Sequence, residues 1–121
     1  MCADTDVWGL YLEAKCCFAV LHYQEGQLTG KEAELFAASA LEEEGEILSA
    51  LLLQYYGSRS VLPREIFIPA AIEDQEVLEQ LLGEKAGHKV TVRTPQRGDR
   101  AQVLALAAAN AREEAERQTT S

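Results

Sequence analysis

The stretch VWGLYLEAKCCFAVLHY, residues 7–23, decides the fold class. It predicts two strands, Val7–Leu12 and Cys16–Tyr23, because apolar and aromatic residues dominate both runs and a short charged turn separates them. The second run is almost continuously apolar, which is typical of a strand inside a sheet that is covered on at least one face. Gln24-Glu25-Gly26-Gln27 then predicts a hairpin, and a more polar edge strand follows within Leu28–Ala37. Together the three strands predict an antiparallel meander.

After the meander, the hydrophobic period becomes that of helices alternating with strands. Helices are predicted around Ile47–Tyr55, between Asp74 and Gly87, and after an Asp99 cap. Short strands are predicted at Arg64–Pro69 and Lys89–Arg93. This order is that of a ribonuclease H-like α/β domain, in which a three-strand antiparallel meander and an αβαβα segment form one five-stranded mixed sheet. Right-handed crossovers would place strands four and five beside strand one. A different five-stranded mixed sheet with helices on both faces is the alternative.

Length and composition predict one domain over residues 1–118, followed by a disordered polar tail at 119–121. The net charge of −9 argues against a module whose main task is to grip nucleic acid, and equally against binding to an anionic membrane. The three cysteines, Cys2, Cys16 and Cys17, are odd in number and suit a reducing compartment better than a disulfide framework. The first twelve residues lack the pattern of a signal peptide, so we expect a cytoplasmic protein.

The charges are unevenly distributed along the chain. Acidic residues dominate between Glu42 and Glu84, whereas basic residues dominate from Lys85 to Arg100. Arg93, Arg97 and Arg100 therefore surround the start of the last predicted helix, where unpaired N–H groups carry partial positive charge. This basic corner could bind a phosphate or a partner's carboxylate. In the alternative interpretation, these arginines pair with nearby glutamates of the same chain and only fix the loop.

A ribonuclease H-like fold raises the question of nuclease activity, which requires carboxylates on strands one and four to hold divalent metals. Strand one, Val7–Leu12, contains no acid: Asp4 and Asp6 are expected to precede it in solvent, and Glu13 follows it. Strand four continues into Pro69 before any carboxylate appears. The sequence therefore predicts a degenerate site with no catalytic residues, metal or cofactor. The enzymatic alternative is a small metal-dependent nuclease that uses Asp4, Asp6 and Glu13.

The basic corner also belongs to a set of segments that together resemble UvrC, the incision subunit of bacterial nucleotide excision repair. These segments occur in the order and spacing of that family, and they are Asp4-Thr5-Asp6-Val7-Trp8-Gly9-Leu10, Glu25-Gly26-Gln27-Leu28-Thr29-Gly30-Lys31-Glu32, Glu46-Ile47-Leu48 through Gln54-Tyr55-Tyr56, Pro63-Arg64-Glu65-Ile66-Phe67-Ile68-Pro69, and Pro95-Gln96-Arg97-Gly98-Asp99-Arg100 with Leu104-Ala105 and Asn110-Ala111. The resemblance covers nearly the whole chain.

The resemblance implies a position in UvrC between the motif that meets UvrB and the catalytic ribonuclease H-like domain. It implies a non-catalytic structural and interaction domain that spaces the two nuclease domains of its parent protein. The implied partners are the neighbouring UvrC domains and, through the parent protein, the UvrB–DNA complex, with weak DNA contact by the basic corner as a further option. Both an excised middle domain and a free-standing paralogue agree with the sequence.

Overall fold

The computed structural model describes the backbone of residues 3–120 and the side chains of residues 3–118. Within this range the chain forms a five-stranded sheet in the order β3-β2-β1-β4-β5, accompanied by three helices. The elements in chain order are β1 (Thr5–Leu12), β2 (Cys16–Gln24), β3 (Gln27–Phe36), α1 (Glu44–Gly57), β4 (Glu65–Phe67), α2 (Gln75–Ala86), β5 (Thr91–Arg93) and α3 (Gly98–Thr120). The predicted element order and the mixed five-stranded sheet are confirmed.

Strand β1 lies at the centre of the sheet. It pairs antiparallel with β2 and parallel with β4, so strands four and five do lie beside strand one. β1 begins at Thr5, which is earlier than the apolar run predicts, because Thr5 is held between Tyr23 of β2 and Glu65 of β4. The backbone N–H of Glu65 also donates to the carbonyl of Asp4, 3.1 Å away. Asp6 therefore lies inside β1 and is buried, and the expectation of a solvated acid ahead of the strand is wrong.

The two faces of the sheet carry different layers. α1 and α2 cover one face through a core that includes Trp8, Val20 and Ile66 of the sheet. α3 covers the other face, where small side chains such as Ala111 and Ala115 pack against Cys17 and Ala19. Alternation along the strands produces this division, since successive side chains point to opposite faces.

Helix α3 approaches β1 so closely that only glycine fits at position 9. A Cβ atom built on Gly9 would lie 2.2 Å from the backbone carbon of Ala107. Gly9 and the small residues of α3 together allow this close approach, because neither side of the contact carries a large side chain. Among residues 3–120, no helix is both long and apolar enough to cross a membrane.

The helix ends agree in part with the sequence. Glu43 and Glu46 form a reciprocal capping box at the start of α1, and Gly87 ends α2 with a φ of 77°. α3 begins at Gly98, so Asp99 lies in the first turn and does not precede the helix as the predicted cap. Cys2 lies outside the described residues, and the predicted tail at 119–121 lies beyond the described side chains.

Candidate functional site

Three titratable side chains from neighbouring strands meet on the sheet face that α1 covers. The imidazole Nδ1 of His22 in β2 lies 2.7 Å from Oδ1 of Asp6 in β1. Its Nε2 lies 2.7 Å from Oε2 of Glu32 in β3. Because both ring nitrogens face carboxylate oxygens, both are donors and the ring is an imidazolium. The hydrogen bond to Asp6 and the one to Glu32 outweigh partial burial and raise the pKa of His22 to about 9.

Two consecutive tyrosines of α1 close this cluster from above. The hydroxyl of Tyr56 donates to Oδ2 of Asp6 at 2.6 Å and accepts a hydrogen bond from Nε1 of Trp8 at 3.0 Å. Tyr56 is fully buried, and its burial, together with the negative charge of Asp6, raises the pKa of its hydroxyl well above the ordinary value. Both oxygens of Asp6 therefore have partners, and its charge is balanced by the imidazolium of His22.

Glu32, in the edge strand β3, is also held by several hydrogen bonds. The Tyr55 hydroxyl donates to Oε2 of Glu32, and Nη2 of Arg59 donates to Oε1 at 2.9 Å. Partial burial would raise the pKa of Glu32, but the hydrogen bonds from Tyr55 and His22 and the charge of Arg59 outweigh it, and that pKa is lowered. The guanidinium carbon of Arg59 also lies 3.8 Å from the centre of the Tyr55 ring.

We call this connected set the Asp6 network; its members are Asp6, Trp8, His22, Glu32, Tyr55, Tyr56 and Arg59. It joins β1, β2 and β3 to the C-terminal half of α1 and to the loop that follows. His22 has no lone pair free to accept a proton or to bind a metal, so it cannot act as a general base in this arrangement. The role that this arrangement supports is to hold the three strands and α1 together.

The residues of the proposed metal-dependent nuclease do not come together. Asp6 is the second residue of β1, whereas Glu13 follows its last residue. Seven residues of extended chain separate them by about 23 Å. Asp4 is exposed in front of the strand. Within residues 3–118, no three side chains among His, Cys, Asp and Glu form a group that could hold a metal ion.

The centre of β1 and the end of β4, where a ribonuclease H-like enzyme would hold its metals, carry apolar side chains. Trp8, at the centre of β1, is fully buried in the main core on the face of α1, and Leu10 and Leu12 follow it on that face. Ile68 is fully buried directly after β4, and Pro69 follows it. The acid-free description of strand one is wrong, because Asp6 lies within β1.

Two arginines of the predicted basic corner, Arg93 and Arg100, lie at the end of β4, and the three arginines have different environments. Arg93 pairs with Phe67 in the β4–β5 register and places Nε 3.6 Å from Oε2 of Glu65. The guanidinium carbon of Arg100 lies 5.8 Å from the centre of the Phe67 ring. Arg97 is exposed and has no ion pair or hydrogen bond among the described residues. Arg93 thus follows the intramolecular alternative, while Arg97 remains accessible.

The Asp6 network is the feature that sequence reasoning missed, and the β1–β2 hairpin contained a signal for it. Leu12 and Cys16, the ends of the two predicted strands, are partners across the hairpin turn. Counting back through this register places Asp6 opposite His22. A carboxylate opposite an imidazole on one face of a sheet predicts a pair. Tyr56 and Glu32 come from later elements and could not be found in this way.

Comparisons with known proteins agree with these observations. A family model described as the UvrC ribonuclease H-like domain matches residues 4–118. UvrABC system protein C of Citrifermentans bemidjiense is 42% identical over 109 residues, which are 89% of this chain and 17% of that protein. The protein of the same name from Agrobacterium fabrum is 39% identical over 111 residues, 91% of this chain and 16% of that protein. The chain therefore spans about a sixth of the length of these relatives.

A solved structure supports the fold independently of sequence. Ribonuclease H2 from Pyrococcus horikoshii superposes with a TM-score of 0.63 at 12% sequence identity, over 95% of this chain and 74% of that one. At this identity the likeness concerns the fold alone. It confirms the ribonuclease H-like architecture that the order of strands and helices predicts.

Proposed function

This chain belongs to the family of UvrC ribonuclease H-like domains, and we propose that it is a non-catalytic structural and interaction domain of the UvrC subunit of bacterial nucleotide excision repair. The parent protein would make the dual incision in damaged DNA, in the cytoplasm. This domain would hold the neighbouring UvrC domains at a set distance and provide a docking surface within the UvrB–DNA complex.

The observation that carries the proposal is the apolar character of the region of the sheet where ribonuclease H-like enzymes would hold metals. Metal-dependent phosphodiester cleavage needs carboxylates that converge on divalent ions. In this chain Trp8, at the centre of β1, and Ile68, at the end of β4, occupy that region, and both are fully buried. The acid inside β1, Asp6, lies two residues before Trp8, and both its oxygens are engaged. The available carboxylate therefore stabilises the fold and is not free to bind a metal.

A cleavage assay tests the non-catalytic role. The purified chain is incubated with supercoiled plasmid and with lesion-bearing duplex in Mg²⁺ or Mn²⁺, and calorimetry measures divalent binding. We expect no nicking above the buffer control and no tight binding. Nicking that Asp6→Asn abolishes would refute the proposal, provided that Asp4→Asn, which alters an exposed acid in front of the same strand, retains it. Nicking that is equal in the native chain and both variants would identify a contaminating nuclease.

A weak contact with DNA is the second candidate, and the exposure of Arg97 and Arg100 favours it. With a net charge of −9, we expect binding that is weak and falls steeply with salt. Anisotropy of a labelled duplex would compare Arg97→Ala/Arg100→Ala with Lys85→Ala/Lys89→Ala, which removes the same charge from other exposed positions. A loss confined to the arginine variant supports the contact, and equal binding by both variants and the native chain contradicts it.

A further inference from the structure

Strand β3 leaves one side of its backbone open along the edge of the sheet. It is ten residues long and lies at the end of the strand order, next to β2. The opposite edge strand, β5, is only three residues long. An edge strand presents a row of N–H and C=O groups that can pair with a further strand. β3 therefore offers the longer template for strand addition within the described part of the chain.

A cavity of about 280 Å³ lies beside β3, between this strand and the C-terminal half of α1. Its apolar lining includes the rings of Phe18, Phe36 and Tyr55. Its polar lining includes the carboxylates of Glu32 and Glu34. Aromatic faces and carboxylates together form an environment that attracts a cationic side chain, through cation–π contact and charge.

One side chain of the protein already shows this mode of binding. The guanidinium of Arg59 lies over the ring of Tyr55 and donates to Oε1 of Glu32 at 2.9 Å. Glu34 lines the same cavity but makes no side-chain hydrogen bond or ion pair with any described residue. The cavity thus has one carboxylate that is neutralised from within the chain and one whose charge faces solvent.

We infer that β3 is a docking edge for an extended, basic segment of a partner protein, which adds a strand to the sheet and places a Lys or Arg side chain against Glu34 in this cavity. Charge complementarity supports this occupant over a second copy of the chain. Two copies of β3 paired antiparallel would bring Glu32 and Glu34 into repulsive contact with each other or with themselves, and each copy carries a net charge of −9. A basic strand would instead place positive charge opposite both glutamates.

The exposed residues on the other face of β3 indicate which residue pattern the docking segment should have. Leu28 and Leu35 are 48% and 41% exposed, and they lie on the face that α3 covers elsewhere. A strand laid along β3 would cover both leucines with its own side chains of that face. Because strand side chains alternate between faces, the fitting segment alternates basic and apolar residues. This inference deepens the proposed interaction role and rests on it.

An NMR titration tests the docking edge. The probe is a synthetic nine-residue peptide of alternating Lys and Val, added to the ¹⁵N-labelled chain at 0.15 M salt. We expect the largest shift changes at the amides of β3 and around the Glu34 cavity. Glu34→Lys is expected to weaken binding about tenfold or more. Glu84→Lys, which makes the same charge change on an exposed position of α2, is expected to change it less than twofold.

Three results would overturn the inference. One is the absence of shifts on β3 at millimolar peptide. Another is equal binding of a peptide in which the same residues are ordered as a Lys block and a Val block, since that would show general attraction to an acidic protein. The third is a set of β3 shifts that depends on protein concentration without peptide, which would identify a second copy as the occupant. The nuclease assay is independent of all three, so a failure here is distinguishable from a failure of the proposed function.

Discussion

Raising the pH from 6 to 9.5 is expected to destabilise this fold, because it removes one of the two ring protons through which His22 donates to Asp6 and Glu32. Nδ1 and Nε2 face Asp6 and Glu32 at 2.7 Å each, and the Tyr55 hydroxyl lies 3.3 Å from Nε2. These three groups, from β1, β3 and α1, are the titratable neighbours of the ring. Deprotonation would leave one ring nitrogen without a proton, facing an ionised carboxylate.

The pKa of His22 determines the sign and the size of this effect. The hydrogen bonds from its ring to Asp6 and Glu32 raise that pKa from 6.5 to about 9. The folded chain therefore holds the proton more tightly than the unfolded chain. The stabilisation is complete below pH 6.5 and is lost as the pH rises towards 9. At about 1.4 kcal/mol per pH unit this difference has a ceiling of about 3.5 kcal/mol. The side chain is 27% exposed, so solvent screening reduces the expected loss to roughly 1–3 kcal/mol.

Urea unfolding monitored by tryptophan fluorescence measures this loss. Trp8 is the sole tryptophan of the sequence and donates to Tyr56 inside the network, so it reports on the relevant region. The free energy of unfolding is compared between the native chain and His22→Gln at each pH. Groups that titrate alike in both proteins cancel in the difference. We expect the native chain to exceed the variant most at pH 6 and to lose roughly 1–3 kcal/mol of that advantage by pH 9.5.

Parallel pH dependence in the two proteins would refute this reasoning. An NMR titration provides the second check, because it measures the pKa of His22 in the folded chain directly. A value at or below 6.5 would show that the ring is not held as an imidazolium between the carboxylates. The geometry of the Asp6 network would then need another explanation.

Three substitutions test other parts of the fold by the same unfolding assay. Tyr56→Phe removes the hydroxyl between Asp6 and Trp8 and leaves two buried polar groups unsatisfied, so we expect a loss of about 2–3 kcal/mol. Gly9→Ala places a Cβ atom 2.2 Å from the backbone of α3, and we expect a loss of about 3 kcal/mol with weakened packing of that helix. Gly87→Ala meets no atom within 4 Å but requires a φ of 77°, so about 1 kcal/mol is expected, and Gly87→Asn should cost less.

The sequence predicts the architecture well because hydrophobic period and turn chemistry are local properties. The apolar run of β2, the glycine at 87 and the acidic start of α1 all lead to the elements that the structure contains. The start of β1 could not be found in this way. Its first residues are polar, and they become strand because β2 and β4 supply hydrogen-bonding partners on both sides. Partners from distant elements also explain why Asp6 was assigned to solvent.

In the candidate site, too, local sequence patterns do not reveal partners that come from distant elements. His22 lies within the mostly apolar strand β2. Its partners, however, come from β1, β3 and α1, and only the first lies within reach of a hairpin register. Arg93 and Arg100 of the basic corner both lie beside Phe67, since β5 and the start of α3 meet at the end of β4. Their role as phosphate or partner contacts stays a prediction.

The Asp6 network also connects stability with the proposed docking edge. Glu32, Tyr55 and Arg59 belong to the network and at the same time form part of the wall of the cavity beside β3. Loss of the proton on His22 removes one of the partners that hold Glu32 in place, and it adds negative charge to that wall. The added charge attracts a basic segment more strongly, whereas the loosened wall positions it less well. Because binding to a preformed cavity depends on positioning, we expect the second effect to dominate, so affinity for the alternating Lys–Val peptide should fall between pH 7 and 9.5. An affinity that rises with pH would show that charge alone draws the peptide to β3.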